Sequence, residues 1–302
     1  MLDICLLGTA GMMPLPQRYL TSMVARYNGV TLMVDCGEGT QVAMKEAKIS
    51  PKPIDILLIT HFHADHTSGI PGLLLTMGNA QKTSPLTIIG TKGIERICNS
   101  LRAIAPELPF PINYIELTEK NEKHVIKGFE ITAFRAKHNI TCYGYSIYIK
   151  RSGKFDVEKA KELNIPLKIW NSLQKGNSIE LDGKTYTPDM VMGNDRKGIK
   201  VTYCTDSRPT DNIISAATDS DLFVCEGMYG DPEDIRKARK YRHMTFYEAA
   251  EMGKKANVKE MWLTHFSPSL VTPKKYIRDA QKIFKKVSLG EDGRMKTFHF
   301  ED

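Results

Sequence analysis

The chain has 302 residues, 41% hydrophobic and 25% charged, with 42 basic and 35 acidic side chains and a net charge of +7. That apolar content supports a substantial core and excludes a disordered or fibrous chain. No run approaches the ~18 apolar residues of a membrane span. The opening Leu2-Asp3-Ile4-Cys5-Leu6-Leu7 has no basic region ahead of it, so neither signal peptide nor membrane anchor is expected and the cytoplasm is the expected location. The mild positive balance permits a polyanionic partner without requiring one.

The apolar run 3–7 reads as a first strand, ended by a loop with Gly8, Gly11, Pro14 and Pro16. Residues 22–35 read as a hairpin turning at Asn28-Gly29, because both turn positions need a positive φ that Asn and Gly tolerate. A continuous apolar strand follows at 54–60, then strands at 86–90, 129–136, 143–150, 201–205, 222–225 and 261–264. Helical periodicity marks 94–104, 245–256 and 276–287. Thr245 and Glu248 form a capping-box pair, and Pro273 precedes the last helix. Such alternation predicts an α/β fold of sheets covered by helices. The six cysteines form no C-x-x-C pair and read as reduced, mostly buried thiols.

Residues 151–200 break the rhythm. They hold ten basic and seven acidic residues, a net charge of +3, and few long apolar runs. A short helix is expected at 156–163 and a further turn at 169–173. The segment reads as an insertion between two core strands, either a surface excursion or, as long insertions often are, a functional one.

The chemistry concentrates in His61-Phe62-His63-Ala64-Asp65-His66, which directly follows the strand 54–60. Of eight histidines in the chain, three lie in these six residues. Imidazole and carboxylate are the ligands of open catalytic zinc sites, whereas a structural site more often recruits cysteine. An echo occurs later: Leu58-Ile59-Thr60-His61-Phe62 is matched by Trp262-Leu263-Thr264-His265-Phe266, two apolar strands each ending in a histidine.

H-x-H-x-D-H after an apolar strand resembles the signature of the metallo-β-lactamase fold, and further motifs resemble its ribonuclease Z branch, the tRNA 3′-processing endonucleases. These are Leu7-Gly8-Thr9-Ala10-Gly11, Asp35-Cys36-Gly37-Glu38-Gly39-Thr40-Gln41, Lys137-His138, Thr205-Asp206-Ser207-Arg208-Pro209, Cys225-Glu226-Gly227-Met228-Tyr229, His243-Met244-Thr245 and Leu263-Thr264-His265, in family order along essentially the whole chain. The resemblance implies one domain over 1–302 with the αββα four-layer fold. Residues 151–200 then become an inserted flexible arm that grips tRNA.

The resemblance also implies a site. His61, His63 and His138 would hold one zinc ion, Asp65, His66 and His265 a second, and Asp206 would bridge them. Two zinc ions per chain can activate a water and neutralise charge on an attacked phosphate. Asp65 would also accept a proton from that water. His243, charged and oriented by Glu226, would protonate the leaving oxygen; without that role it is simply the residue ahead of a helix cap. Asp35 would hold a ligand histidine by its far ring nitrogen. Phosphate-facing candidates are Arg208, Arg18, Thr21 and Ser22, and an Arg-Pro after a strand serves equally as a salt-bridge anchor. On the arm, Lys159, Lys168, Lys175 and Lys184 would meet phosphates, and Trp170 would either stack on a base or anchor the arm to itself. The arm departs from the family pattern, with Ile165-Pro166-Leu167-Lys168-Ile169-Trp170 in place of a Gly-Pro-rich turn.

The implied activity is removal of the 3′ trailer from precursor tRNA by a homodimer. The alternative is a hydrolase of small phosphodiesters, cyclic nucleotides or sulfate esters. His63 argues against the di-iron redox branch, which carries glutamate there. The complete ligand set argues against a noncatalytic scaffold.

Overall fold

The computed structural model describes residues 1–301. Two seven-stranded sheets form the main body. The first contains β1 (Leu2–Gly8), β2 (Ser22–Tyr27), β3 (Val30–Val34), β4 (Ile54–Leu58), β5 (Leu86–Thr91) and β6 (Ile112–Leu117). The second begins with β7 (Asn121–Ile126), β8 (Phe129–Ala136) and β9 (Cys142–Arg151). After a small hairpin, β10 (Ile179–Leu181) and β11 (Lys184–Tyr186), it continues with β12 (Arg196–Cys204), β13 (Leu222–Glu226), β14 (Met261–Thr264) and β15 (Val287–Leu289). β16 (Arg294–Phe298) returns to pair antiparallel with β1. β3 to β6 run parallel, as do β12 to β15.

Strand alternation explains the layering. One face of the first sheet, with Cys5, Leu7, Val24, Met33, Leu57 and Ile88, packs on the helices Thr40–Glu46, Ile70–Asn79 and Ile94–Leu101. One face of the second, with Cys204, Phe223, Cys225, Met261 and Leu263, packs on Asp211–Ala217, Phe246–Lys255 and Lys274–Ile283. The alternate residues, among them Ile4, Leu6, Leu32, Tyr145, Tyr203 and Trp262, are equally buried and fill the space between the sheets. Across it, Tyr145 Oη donates to the Ile59 carbonyl at 2.7 Å and Tyr203 Oη to Asp35 at 3.2 Å. The order is helix, sheet, sheet, helix, the αββα fold that the family resemblance implies.

The hairpin turns at Asn28 and Gly29, both with positive φ. The Thr245–Glu248 capping box is present. The helix expected to run to 287 stops at Ile283, because Val287 is needed in β15. β6, β7 and β16 escaped the sequence reading: they lie at sheet edges, half-exposed, without a continuous apolar run. All six cysteines are free and buried.

A second compact unit comprises residues 149–199 with Phe300 and Glu301. It has its own small core of Ala160, Ile165, Ile169, Leu173 and Val191. Its helices are Val157–Glu162, capped by the Asp156 side chain, and Leu167–Gln174. Among the described residues, no helix is long and apolar enough to cross a membrane.

Candidate metal centre

The carboxyl ends of the parallel strands carry the site, the usual place for chemistry in open α/β sheets. Asp35 follows β3, and His61 lies just past β4. Asp206, Glu226 and His265 stand at the ends of β12, β13 and β14. The helix Ala64–Thr67 begins at His63 and carries Asp65 and His66. His138 sits in the β8–β9 turn, which a Lys137–Arg208 bridge ties to the residues after β12.

Ligand-type atoms of His61, His63, His138 and Asp206 lie within 4.8 Å of one another, as do those of Asp65, His66 and His265. His61 Nε2 is 2.9 Å from His63 Nδ1, and both His61 and His138 approach Asp206 Oδ1 at 3.8 Å. On the other side, His66 Nε2 and His265 Nε2 each lie 3.2 Å from Asp206 Oδ2. Asp206 therefore faces one group with each oxygen. Asp65 Oδ2 lies 3.5 Å from His66 and 3.4 Å from His265.

Outer contacts fix the rings. Asp35 Oδ2 is 2.8 Å from His66 Nδ1, and its carboxylate also accepts from the Thr60 amide and hydroxyl. The His138 Nδ1 donates to the Arg242 carbonyl at 3.3 Å. The Met12 amide donates to Asp65 Oδ2 at 2.7 Å. Gly11 lets that loop approach, since a Cβ there would stand 2.8 Å from the His265 ring. Asp35, Asp206 and His265 all adopt left-handed φ, between 54° and 59°. Such non-glycine conformations cost about 1–3 kcal/mol each and persist where the surroundings over-determine them.

The donor set fits a metal. His66 Nε2, both ring nitrogens of His265 and Asp206 Oδ2 are buried without a hydrogen-bond partner, a costly state for polar atoms unless something coordinates them. Burial pushes His61, His63 and His138 toward the neutral form. Burial opposes charge on Asp65 and Asp206 too, but the flanking imidazoles hold both carboxyls well below the usual range. Neutral imidazole and ionised carboxylate are the forms that bind metal. His66 behaves differently. Burial disfavours its charge, yet Asp35, Asp206 and Asp65 together raise its pKa well above the ordinary value.

His243 lines the same cavity, whose volume is about 490 Å³. Its Nδ1 is 3.0 Å from Glu226 Oε2, while Glu226 Oε1 accepts from the Ser207 amide. Burial resists protonation of His243, but the buried Glu226 carboxylate overrides it and raises the pKa to about 9. A second cleft of about 520 Å³, near His124, Tyr148 and Lys200, brings together no such ligand group among the described residues.

Other candidates stand elsewhere. The Arg208 guanidinium, read as phosphate-facing, is engaged by the Glu248 carboxylate and the His243 carbonyl, so it braces the His243 turn rather than presenting a free cation. Thr21 and Ser22 are buried and donate to the Ala10 and Asp35 carbonyls. Arg18 lies over the Phe266 ring. In the second unit, Trp170 Nε1 donates to the Ile165 carbonyl at 2.9 Å and its ring packs 5.3 Å from Phe155, contacts that anchor it to its own unit. Lys159, Lys168, Lys175 and Lys184 are exposed. Sequence reasoning missed Lys237 and Tyr241 on the cavity wall; the cationic run 236–242 was the available signal.

This architecture is that of the metallo-β-lactamase fold. The chain is similar to the metallo-β-lactamase fold protein YhfI of Bacillus subtilis, with TM-score 0.70 and 18% identity over 98% of each chain. It is equally similar to human tRNase Z, short form, with TM-score 0.70, 24% identity and 98% of each chain covered. A family model described as Anti-Pycsar protein Apyc1 matches residues 2–164. A Ribonuclease Z of Agathobacter rectalis is 62% identical over 302 residues, all of both chains. The chain belongs to the ribonuclease Z family.

Proposed function

We propose that the chain is a zinc-dependent endoribonuclease that removes the 3′ trailer from precursor tRNA in the cytoplasm, acting as a homodimer. Full-length identity to ribonuclease Z proteins supports the activity. The observation that carries the chemistry is the pair of ligand groups that face Asp206, one on each of its oxygens. His61, His63 and His138 would hold one zinc ion, Asp65, His66 and His265 the other, with Asp206 between them. When bound, the zinc pair supplies the Lewis-acid charge that activates water and steadies the attacked phosphate. Asp35 keeps the His66 ring turned inward. Asp65, fixed by the Met12 amide, is the carboxylate placed to take the proton of the attacking water.

His243 delivers the proton on the leaving side. Glu226 holds its Nδ1, which leaves Nε2 for the departing 3′-oxygen, and the buried carboxylate favours the imidazolium that delivers the proton. The phosphorus–O3′ bond breaks, the tRNA keeps a 3′-hydroxyl and the trailer keeps the phosphate. The inserted unit 151–200 is read as a grip on the tRNA body through its exposed lysines, with Trp170 holding the unit together.

Incubating the purified protein with a precursor tRNA and mapping the product ends tests the reading. A single cut at the 3′ side that leaves a 3′-hydroxyl is expected, with two zinc ions per chain by elemental analysis. Intact precursor beside rapid hydrolysis of cyclic nucleotides or other small diesters would move the protein to the small-substrate reading.

A further inference from the structure

The cavity wall includes one face of the helix Ile235–Tyr241, through Lys237 and Tyr241, which lie four residues apart and so share that face. The helix and its C-cap carry Arg236, Lys237, Arg239, Lys240 and Arg242, five cations in seven positions, all exposed. Its opposite side is pinned by buried Ala238, which packs with Met228 and Tyr229. Lys237 pairs with Asp234 at 2.7 Å, and Arg242 donates to the His138 carbonyl at 2.7 Å. Arg236, Arg239 and Lys240 make no ion pair among the described residues.

Arg239 and Lys240 lie in the last turn and Arg242 at the C-cap, where the helix dipole favours cations, but the like charges within the run repel one another. Arg236 with Arg239, Arg236 with Lys240, and Lys237 with Lys240 are like charges at i,i+3 or i,i+4, each destabilising by roughly 0.2–0.5 kcal/mol. A surface that only needed solubility would interleave acids. The cations sit beside a cavity built to hold a phosphodiester, so a polyanion complements them at the point where the scissile bond must enter.

We propose that the cationic face of the helix Ile235–Tyr241 is a docking surface for the RNA phosphate backbone, leading the strand into the cavity. It rests on the precursor-tRNA reading. Arg236, Arg239 and Lys240 take successive phosphates outside the cavity, and Tyr241, half-exposed under the Lys240 ammonium at 5.1 Å, offers a ring for the nucleotide nearest the metals.

The test is a triple variant, Arg236→Ala with Arg239→Ala and Lys240→Ala, made in the full chain with zinc content measured. The expected result is a KM for precursor tRNA raised ~10-fold or more with kcat within about two-fold. The salt dependence of log binding should be shallower by about two units, from the loss of some three phosphate contacts. A second triple variant with lysine at 236 and 239 and arginine at 240 should restore both. An unchanged salt slope in the alanine variant, at wild-type zinc content, overturns the proposal. So does a loss of affinity that the charge-preserving variant does not rescue. If the wild-type protein leaves precursor tRNA uncut, the functional reading fails instead, and the two failures are read separately.

Discussion

The metal centre and the inserted unit are built by opposite rules. The unit at 149–199 follows local rules throughout. Asp156 caps one helix, Asp182-Gly183 turns the β10–β11 hairpin, and the positive-φ residues Asn164, Asp182, Gly176 and Gly183 are types that tolerate it. Its polar groups face water and its few apolar ones collapse together. The metal centre breaks those rules, with buried histidines and carboxylates, four orphaned polar atoms and three left-handed non-glycine residues at strand ends. The strained backbone survives there because two sheets and their loops hold it in place, and the orphaned atoms are those a metal would coordinate. Chemistry sits where the fold tolerates local cost, and the inserted unit has no comparable cost to explain.

Removing the shared carboxylate tests this contrast most severely. Asp206→Asn should cut turnover by at least ~10³-fold and reduce zinc content below two per chain, because the amide is neutral and one ligand atom becomes a donor. Retained zinc and near-normal turnover would show that Asp206 is a bystander. His243→Ala comes next, with turnover on RNA lowered roughly 10²–10⁴-fold while zinc content stays at the wild-type level. Its companion Glu226→Gln should move the alkaline limb of the pH–rate profile to lower pH. The carboxylate holds the proton on His243, and without it burial pulls the pKa down. An unmoved limb would remove Glu226 from the mechanism.

The inserted unit should respond in the other direction. Replacing residues 152–195 by a short Gly/Ser turn is expected to raise KM for precursor tRNA, with a shallower salt dependence, and to leave hydrolysis of a small chromogenic phosphodiester within about two-fold. Equal loss on both substrates would mean that the unit supports the metal centre. The smallest effect concerns the cysteines. Burial pushes the Cys5 thiol up to about 11 and the Cys98 thiol to about 12, and the other four rise as well. Alkylation of the native protein at pH 8 should therefore be negligible until it is unfolded, with activity unchanged.

The sequence showed most where residue type and local spacing carry the information. His61-Phe62-His63-Ala64-Asp65-His66 exposes its chemistry in six residues, and the Asn28-Gly29 turn and the Thr245–Glu248 cap are local devices that need no tertiary context. It showed least where the partner is remote. The salt bridge that draws Arg208 to Glu248 spans forty positions, and nothing beside Arg208 in the chain indicates it. Trp170 was ambiguous for a related reason, since its choice between solvent and Phe155 depends on how the unit folds back on itself.

Composition and motif order by themselves determined the fold class and the ligand types, because strand alternation and imidazole–carboxylate chemistry are properties of residues. Only the tertiary structure decided which oxygen of Asp206 faces which histidines, and that Asp35 grips His66. It also decided that the cationic helix at 235–241, rather than Arg208, borders the cavity. Those facts are distances between segments tens to hundreds of residues apart, and they exist only once two sheets have packed face to face.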